Sequence, residues 1–473
     1  MVFMKERIIK FINFIIKICF VFSFFAILFC LLKIDILPNK YLLLFSIFFS
    51  LVLLYNFLSD FIFKKSIHKF ISIIISFILI IINLFIYIYI NKTDNFVNSL
   101  QNNDVSETYY LAVLSNSKYK SIDDLNNLNI GTIYSNEDSY DSITKIMKKT
   151  INYNEVKYND LIEMCNDLIV DKINAILISE DYKKFLEENN ELIDIQLKFI
   201  YDVTTKTSIN IRAKDLNVVD TPFIVYITGI DTYGDISSVA RSDVNIVAVV
   251  NPKIKKILLI TIPRDYYVQL HNTAGYKDKL THAGMYGIDM SINTIEDLLN
   301  IDINYYVRLN FSTLINAVDT IGGIDVYSEY EFNTYGYQFY KGFNSINGDY
   351  ALAFSRARYN FLEGDRTRGE NQMRVIEAII SKMSSSRILI NNYLSILDGL
   401  KNTFQTNIDS SRIYDLVKMQ LSTMPAWNIE KFSLNGYDSS NYTYSMGDMI
   451  LYVMEPDYST IDMAKTKIKE MMQ

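Results

Sequence analysis

The stretch of residues 349–372 contains four arginines, together with several acidic residues and a glutamine. Arg356 and Arg358 are two positions apart, so an extended segment would point both side chains the same way. Three further residues have the i, i+3 and i+7 spacing of one helix face: Asp365, Arg368 and Gln372. Guanidinium groups aimed at one point are typical of a phosphate or pyrophosphate site, because each stays charged and can bind two oxygens. A solvated charged loop would also explain this stretch, so the rest of the chain must decide.

Charged residues also flank three strands that the sequence predicts at 223–230, 244–250 and 256–262. Asp231 follows the first strand and Arg264 follows the third, while Arg241 and Asp243 precede the second and share a side by the period of two. Ligand clefts of open α/β sheets lie at strand ends. Asp231 and Asp243 are therefore candidate ligands of a hard cation such as Mg²⁺ or Mn²⁺, which is satisfied by one or two carboxylates together with phosphate oxygens and water.

Composition excludes several other kinds of site. The formal net charge of −7 argues against a nucleic-acid-binding protein, which would carry a basic stripe. Of the three cysteines, only Cys165 lies outside the apolar N-terminal runs, so no internal disulfide framework is expected. The three histidines are too few and too scattered for a histidine metal cluster. No Ser-His-Asp or Cys-His arrangement is apparent, and we expect no covalent enzyme intermediate.

The elements that must position these residues begin with a membrane region, residues 1–92. Three apolar runs, at about 18–32, 41–58 and 70–90, approach or exceed the roughly 20 residues that cross a bilayer. Most cations lie before the first run and between the second and third, namely Lys5, Arg7, Lys10, Lys17, Lys64, Lys65 and Lys69, whereas the loop after the first run has only Lys33 and Lys40 beside Asp35. The positive-inside rule then predicts a cytoplasmic N-terminus, three transmembrane helices and an extracytoplasmic remainder.

Residues 93–220 read as a polar linker and a small α/β accessory lobe. The pattern predicts strands at 109–114, 129–134 and 175–179, and helices at 121–128, 140–150, 158–171 and 181–189. The runs KYKSIDDLNNLNIGTIYS and DKINAILISEDYKKFLE resemble one lobe of the extracytoplasmic solute-binding proteins. Because a ligand cleft in those proteins lies between two lobes, a single lobe favours an accessory or spacer domain over a ligand sensor.

Residues 221–473 read as an α/β/α domain with a central, mostly apolar sheet. Its first strand, 223–230, is continuously apolar, as expected for a strand buried on both faces. Further strands are predicted at 305–309 and 323–327, and helices at 290–299, 311–321 and 376–383, with two more helical segments around Trp427. Two groups of apolar residues at helical spacing are read as core, although a lipid-accepting tunnel would use the same residue types: Leu314, Val318 and Ile321, and Ile376, Ile379 and Ile380.

Four blocks together resemble the LytR-CpsA-Psr family of cell-envelope phosphotransferases. They read GIDTYGDISSVARSDVNIVAVVNPKIKKILLITIPRD, DKLTHAGMYG, VDTIGGIDV and SINGDYALAFSRARYNFLEGDRTRGENQ, and the likeness covers 223–383. Three spans and an accessory domain before the catalytic domain look like the capsule-associated branch of the family. One departure is Asn371 beside Gln372, where the family often has Arg-Gln.

The resemblance implies a Mg²⁺-dependent transferase. It would move a polyprenyl-pyrophosphate-linked anionic glycopolymer, such as teichoic acid or capsule, onto a peptidoglycan hydroxyl and release polyprenyl phosphate. Asp231 and Asp243 match the acids around the metal, and seven residues match the pyrophosphate site: Arg241, Arg264, Lys279, Arg356, Arg358, Arg368 and Gln372. The implied catalytic residues are Asp243, Arg264, Arg358 and Asp365.

Positioning and charge neutralisation are what phosphoryl transfer mainly requires, so the arginines and a metal suit this chemistry independently of the resemblance. Either Asp365 or Asp243 could activate the acceptor hydroxyl. Two alternatives remain at this stage, namely a non-catalytic envelope sensor or regulator and a hydrolase of lipid-linked pyrophosphate.

Overall fold

The computed structural model describes residues 2–62, 66–101, 104–133, 137–188, 195–208, 213–214, 216–232, 236–238, 240–385, 393–401 and 403–473. Lys64 and Lys65, which contribute to the predicted orientation, lie outside these residues.

Three long apolar helices open the chain: α1 (Val2–Ile34), α2 (Asn39–Phe61) and α3 (Ser66–Ser99). Each is long and apolar enough to cross a membrane, as predicted from the sequence. They pack through phenylalanines, with the rings of Phe24 and Phe49 stacked at 5.0 Å. Helix α3 continues beyond the predicted boundary at residue 92, and its far end contacts the C-terminal region, where Tyr414 donates a hydrogen bond to Asp94 at 2.9 Å.

The accessory lobe is a five-stranded sheet with helices. Its elements are β1 (Asp104–Leu114), β2 (Asn129–Ile133), α4 (Glu137–Thr150), β3 (Asn154–Tyr158), α5 (Leu161–Ile169), β4 (Ala175–Ser179), α6 (Glu180–Glu188) and β5 (Leu197–Ser208). The strand order is β3-β2-β4-β1-β5. The sequence pattern missed β3 and β5, and the helix expected at 121–128 is a short 3-10 turn, Ile122–Leu125.

The strands of the C-terminal region are β6 (Phe223–Ile230), β7 (Ser242–Asn251), β8 (Lys256–Thr261), β9 (Tyr267–Gln269), β10 (Lys277–Lys279), β11 (Tyr305–Leu309), β12 (Ile324–Ser328), β13 (Phe332–Thr334), β14 (Tyr337–Phe339), β15 (Gly342–Ile346), β16 (Gln405–Thr406), β17 (Asn428–Ser433), β18 (Gly436–Thr443) and β19 (Gly447–Pro456). Its helices are α7 (Ile288–Leu299), α8 (Phe311–Thr320), α9 (Gly348–Arg356), α10 (Asp365–Ser385), α11 (Tyr393–Leu400), α12 (Ser410–Thr423) and α13 (Tyr458–Met471).

Six of these strands form the central sheet in the order β16-β11-β6-β7-β8-β17. The pairs β6–β11 and β8–β17 are parallel, whereas β7 is antiparallel to both β6 and β8. The helix predicted before Trp427 is α12, but strands β17, β18 and β19 follow Trp427, so the second predicted helix is wrong at that place.

Both faces of the central sheet are covered, which explains its continuously apolar strands. On one face Ile224 and Tyr226 pack with α7 and α13, and on the other Phe223 and Val225 pack with α10 and α12. The arrangement confirms the predicted α/β class. The predicted domain boundaries at residues 92 and 220 stay a prediction.

Candidate active site

One edge of the central sheet gathers the charged residues that the sequence placed at strand ends. Strands β6 and β8 end at this edge and β7 begins there, because β7 runs antiparallel to both neighbours. A register shift between Gly229 and Ile230 skips Asp243, because Gly229 pairs with Val244 and Ile230 with Ser242. Asp231 follows directly, and Asp243 is the second residue of β7. We call Asp231 and Asp243 the acidic edge.

Asp243 is the most firmly held carboxylate of this edge. Its Oδ2 accepts a hydrogen bond from Arg264 Nη1 at 2.9 Å, and its Oδ1 accepts one from Thr281 Oγ1 at 2.9 Å. Burial by itself would raise the pKa of this carboxyl, but Arg264, Arg368 and Arg241 outweigh burial and lower the pKa to about 2. Asp243 is therefore an anion at neutral pH.

Asp231 is more exposed and less well compensated. Its side chain is 44% exposed, and Arg356 Nη2 lies 3.8 Å from its Oδ1. Partial burial and the negative charge of Asp243 raise the pKa of Asp231, and nearby arginines only partly oppose them. The two carboxylates repel each other, and a cation bound between them would reduce this repulsion.

The arginine segment, residues 348–372, faces the acidic edge. Helix α9 begins after Asn347, whose side chain accepts the backbone N–H of Tyr350 at 3.1 Å, and it ends at Arg356. Ala357 then has extended dihedral angles, φ −60° and ψ 122°. The extended geometry that the sequence suggested for Arg356 and Arg358 therefore holds only from Ala357 onward, yet both arginines line the same cavity.

Arg356 is fixed by aromatic rings. Its guanidinium carbon lies 4.3 Å from the ring centroid of Phe311 and 5.0 Å from that of Tyr335. Such cation–π stacking orients a guanidinium and leaves its N–H groups free to bind oxygens.

Helix α10 begins at Asp365 and carries the predicted one-face group. Arg368 Nη2 lies 2.6 Å from Asp365 Oδ1, and Arg264 Nε lies 3.9 Å from the same oxygen. Burial raises the pKa of Asp365, and its repulsion from Asp265 adds to this, although Arg368, Arg264 and Arg358 oppose the shift. Asp243 and Asp365 thus lie on the two sides of Arg264 with pKa values shifted in opposite directions.

A cavity of about 220 Å³ lies between the acidic edge and the arginine segment. Its polar wall consists of seven predicted site residues: Asp231, Asp243, Arg264, Arg356, Arg358, Arg368 and Gln372. Its apolar wall includes Ile230, Val244, Leu309, Leu314, Leu352 and Ile376. Leu314 and Ile376, which the sequence assigned to ordinary core, therefore line the cavity, and the site has one charged side and one apolar side.

Three predicted site residues do not line this cavity. Asp365 lies on the other side of Arg368, in a smaller adjoining pocket. Lys279 lies behind Arg264, where its Nζ donates to Asp265 Oδ1 at 3.0 Å. Arg241 is half-buried beside the accessory lobe, although its charge still lowers the pKa of both residues of the acidic edge.

Sequence reasoning missed two residues that hold the site together. Asp265 is 6% exposed and forms ion pairs with both Lys279 and Arg264. Its position next to Arg264 at a strand end could have identified it from the sequence. Thr281 is 4% exposed and donates to Asp243. Its only signal was its place two residues after Lys279.

Comparison with known proteins places these features in one family. The profile of the LytR_cpsA_psr family matches residues 195–469. The chain is 39% identical over 206 residues to the polyisoprenyl-teichoic acid–peptidoglycan teichoic acid transferase TagU of Enterococcus faecalis, covering 43% of this chain and 65% of that relative. It is 32% identical over 259 residues to the TagU of Bacillus mycoides, covering 53% of this chain and 82% of the relative.

Two solved structures are also similar. The crystal structure of B. subtilis TagV is 29% identical, with a TM-score of 0.45, 54% of this chain covered and 98% of that chain covered. The structure of TagT bound to LI-WTA is 26% identical, with a TM-score of 0.44, 55% of this chain covered and 94% of that chain covered. Because the family profile spans more than half of its length, the protein belongs to the LytR-CpsA-Psr family.

Proposed function

We propose that this protein is an extracytoplasmic phosphotransferase that moves an anionic glycopolymer from a polyprenyl-pyrophosphate carrier onto peptidoglycan and releases polyprenyl phosphate. The observation that carries the proposal is the two-sided cavity, whose guanidinium groups suit a pyrophosphate and whose apolar wall suits the first part of a lipid chain. The names of the E. faecalis and B. mycoides relatives describe a transfer of this kind.

The proposed reaction is an in-line displacement at the phosphorus that bears the glycopolymer. A peptidoglycan hydroxyl oxygen forms a bond to this phosphorus, and the phosphorus–oxygen bond to the second phosphate breaks. The bonding electrons leave with polyprenyl phosphate, and the hydroxyl proton passes to a carboxylate. Arg264, Arg358 and Arg368 line the cavity where they can neutralise the oxygens of both phosphates.

Asp365 suits the role of general base better than Asp243. Both oxygens of Asp243 already accept hydrogen bonds, and its pKa of about 2 makes it a weak base. Burial instead raises the pKa of Asp365, which increases its ability to take a proton. Arg368 and Arg264 flank Asp365 and would orient it.

The acidic edge fits a magnesium ion. Asp231 and Asp243 line one cavity and repel each other, and both offer hard oxygen donors. Among the described residues, no group of three or more His, Cys, Asp or Glu side chains is placed to hold a metal, so the remaining ligands would be phosphate oxygens and water, as Mg²⁺ prefers. When bound, Mg²⁺ would neutralise pyrophosphate charge and improve polyprenyl phosphate as a leaving group.

We further propose that the N-terminus is cytoplasmic and that the region after α3 lies outside the membrane. Lys17, beside Asp60, lies toward the predicted cytoplasmic ends of α1 and α2, while Lys92 and Asp94 at the other end of the membrane region contact the C-terminal domain. This orientation places the cavity on the side where peptidoglycan and lipid-carried polymers meet.

The test uses the full-length protein in proteoliposomes with Mg²⁺, a lipid-pyrophosphate-linked glycan and a peptidoglycan oligosaccharide. Wild-type protein should produce glycan-linked acceptor and lipid monophosphate, and Arg358→Ala should lower the rate at least about 100-fold, as expected for loss of one oxyanion-stabilising group. Arg412→Ala is the matched control, since Arg412 pairs with Asp415 on α12, away from the cavity.

The same assay separates the alternatives. Release of lipid monophosphate without glycan-linked acceptor would identify a hydrolase. No turnover by the wild type, together with binding of the lipid donor, would favour a sensor or regulator.

A further inference from the structure

The accessory lobe contacts the candidate active site at the segment that leads into β7. Ser106 of β1 donates its backbone N–H to the carbonyl of Ser237 at 2.9 Å, and the two hydroxyl oxygens lie 2.8 Å apart. Strand β4 pairs with β1 only from Tyr109 to Ala112, so the edge of β1 around Ser106 is open to this segment. The lobe therefore binds, along its own sheet, the chain that leads to Arg241.

A second contact comes from Asp181, in the first turn of α6. Its side chain accepts a hydrogen bond from the backbone N–H of Arg241 and is 5% exposed. The charged groups around it are Arg241 and Arg308 of the C-terminal region and Glu107 and Lys184 of the lobe. Burial outweighs the attraction of Arg241 and Lys184 and raises the pKa of the Asp181 carboxyl to about 7. A carboxyl oxygen can accept the N–H of Arg241 whether or not the group is ionised, so this contact does not depend on the charge of Asp181.

Arg308 joins this contact from the central sheet. Arg308 lies on β11, is 4% exposed, and donates a hydrogen bond to the carbonyl of Ser238 at 2.5 Å. Burial lowers the pKa of Arg308, and the negative charge of Asp181 partly opposes this shift. Ser237 and Arg241 are thus held from the lobe by Ser106 and Asp181, and Ser238 is held from the sheet by Arg308.

The lobe supports the same segment from another direction. Met285 and Tyr286, in the 3-10 segment Leu280–Tyr286, pack into the hydrophobic core of the lobe. A Cβ atom on Gly284 would lie 2.6 Å from the backbone of both Ala240 and Ser242, so this 3-10 segment packs directly on the residues flanking Arg241. The same 3-10 segment also carries Thr281, which donates to Asp243.

We propose that the accessory lobe is a structural part of the active site, and that Asp181 is a positioning residue that fixes the backbone of Arg241 and thereby the acidic edge. The inference rests on the proposed function, because the acidic edge that it positions is proposed to hold the magnesium ion beside the pyrophosphate. It replaces the expectation of a spacer domain. A preorganised site loses less free energy when the ligand binds, so the lobe contributes to affinity without touching the ligand.

The first measurement is hydrogen–deuterium exchange of the full-length protein in nanodiscs. Asp181→Ala should speed exchange of the Arg241 amide about tenfold, since a backbone N–H loses its acceptor. Asp181→Asn keeps an oxygen acceptor of the same shape and should restore protection. Asp167→Ala is the matched control, because in the described part of the chain the Asp167 carboxylate contacts Lys172 and Tyr158, which both belong to the lobe.

The second measurement is binding of geranylgeranyl pyrophosphate with Mg²⁺. Asp181→Ala should weaken this binding about tenfold, whereas Asp181→Asn should stay within about twofold of wild type. If Asp181→Ala does not fold, Asp181→Leu removes the acceptor while filling the buried volume.

The outcomes separate this inference from the proposed function. Unchanged exchange at Arg241 in Asp181→Ala, or faster exchange with unchanged ligand binding, would overturn the positioning role whatever the enzyme's activity. Wild-type protein that binds the prenyl pyrophosphate but transfers no glycan would overturn the proposed function and leave the positioning role intact.

Discussion

The arginine segment and the acidic edge line the same cavity, but they are built in different ways. The arginine segment consists of two consecutive helices, α9 and α10, joined by an eight-residue connection, so its geometry is set largely by local sequence. The acidic edge is split between the end of β6 and the start of β7, and Ser237, shortly before β7, is held by Ser106 of the accessory lobe. The geometry of the arginine segment is therefore set by contiguous sequence, whereas that of the acidic edge depends on residues more than 100 positions away.

The electrostatics of the two halves differ as well. In the acidic edge, Asp243 is surrounded by arginines that outweigh its burial and lower its pKa, whereas burial dominates for Asp365 at the start of α10 and raises its pKa. Arg264 contacts both carboxylates and joins the two halves. Substitutions at these positions can test whether the halves act as one unit.

The largest effect is expected from Arg264→Ala, which removes the link between the halves. It would leave Asp243 and Asp265 buried with reduced compensation, so we expect a loss of about 3 kcal/mol in the free energy of unfolding and no detectable transfer. Urea unfolding followed by the fluorescence of Trp427, the single tryptophan, measures the stability.

Arg374→Ala is the matched control for this change. The side chains of Arg374 and Arg264 are 12% and 20% exposed, but the partners of Arg374, Glu329 and Glu370, are 49% and 41% exposed. We expect a loss below about 1 kcal/mol, since solvent already stabilises both acids. Equal losses for Arg264→Ala and Arg374→Ala would contradict a central role of Arg264.

A second test compares Asp365→Asn with Asp243→Asn. Asp365→Asn should slow transfer about 10²- to 10⁴-fold, as expected for loss of a general base, and should not destabilise the protein at pH 7 because ionised Asp365 is disfavoured by burial. Asp243→Asn should instead reduce stability at pH 7 by about 2 kcal/mol.

The two acids also predict opposite pH dependence of stability, measured with EDTA present. The folded pKa of Asp243 is about 2, below its unfolded value of 3.8, so its contribution is present above pH 4 and lost as pH falls toward 2. The folded pKa of Asp365 is raised, so its effect favours the folded state below the unfolded pKa and weakens as pH rises through the folded pKa. A difference between wild type and Asp243→Asn that grows as pH falls from 4 to 2 would contradict this assignment.

A smaller effect is expected from adding a methyl group next to each half. In Gly284→Ala, the new Cβ would lie 2.6 Å from the backbone at Ala240 and Ser242, which must shift and displace Arg241. In Gly369→Ala on α10, the Cβ would lie 2.8 Å from the Thr261 hydroxyl, a side-chain atom that can rotate away. Transfer should fall about tenfold for the first and remain within about threefold for the second, as expected when overpacking meets backbone in one case and a side chain in the other. The reverse order of rates would refute the dependence of the acidic edge on its supporting segments.

The smallest effect is expected from Phe311→Leu, which removes an aromatic ring beneath Arg356 and keeps the side chain apolar. Loss of one cation–π contact, at a guanidinium that Tyr335 still covers, should weaken prenyl pyrophosphate binding about threefold. Binding titrations measure the change, and Phe332→Leu, in a separate aromatic cluster with Phe339, serves as the control. Unchanged affinity for Phe311→Leu would indicate that Tyr335 alone orients Arg356.

Much of the fold could be predicted because its signals are local. The three apolar helices, the strand 223–230, and the helix face of Asp365, Arg368 and Gln372 follow from hydrophobic periodicity and spacing. Strands β3 and β5 of the lobe were missed, since β3 lacks a clear alternating pattern and β5 is rich in polar residues on its exposed face. The strands after Trp427 were missed because edge and hairpin strands take their stability from partners distant in sequence.

The sequence by itself determined which residues are candidates for the chemistry, because residue type and spacing fix the charge, reach and chemical class of the arginines and aspartates. Tertiary structure alone decided that Leu314 and Ile376 line a cavity, that Lys279 supports Arg264 through Asp265, and that Arg241 is held by Asp181 of the accessory lobe. These facts depend on which buried surfaces meet, and the balance between burial and the surrounding arginines sets the opposite pKa shifts of Asp243 and Asp365. Spacing along the chain carries no information about such contacts.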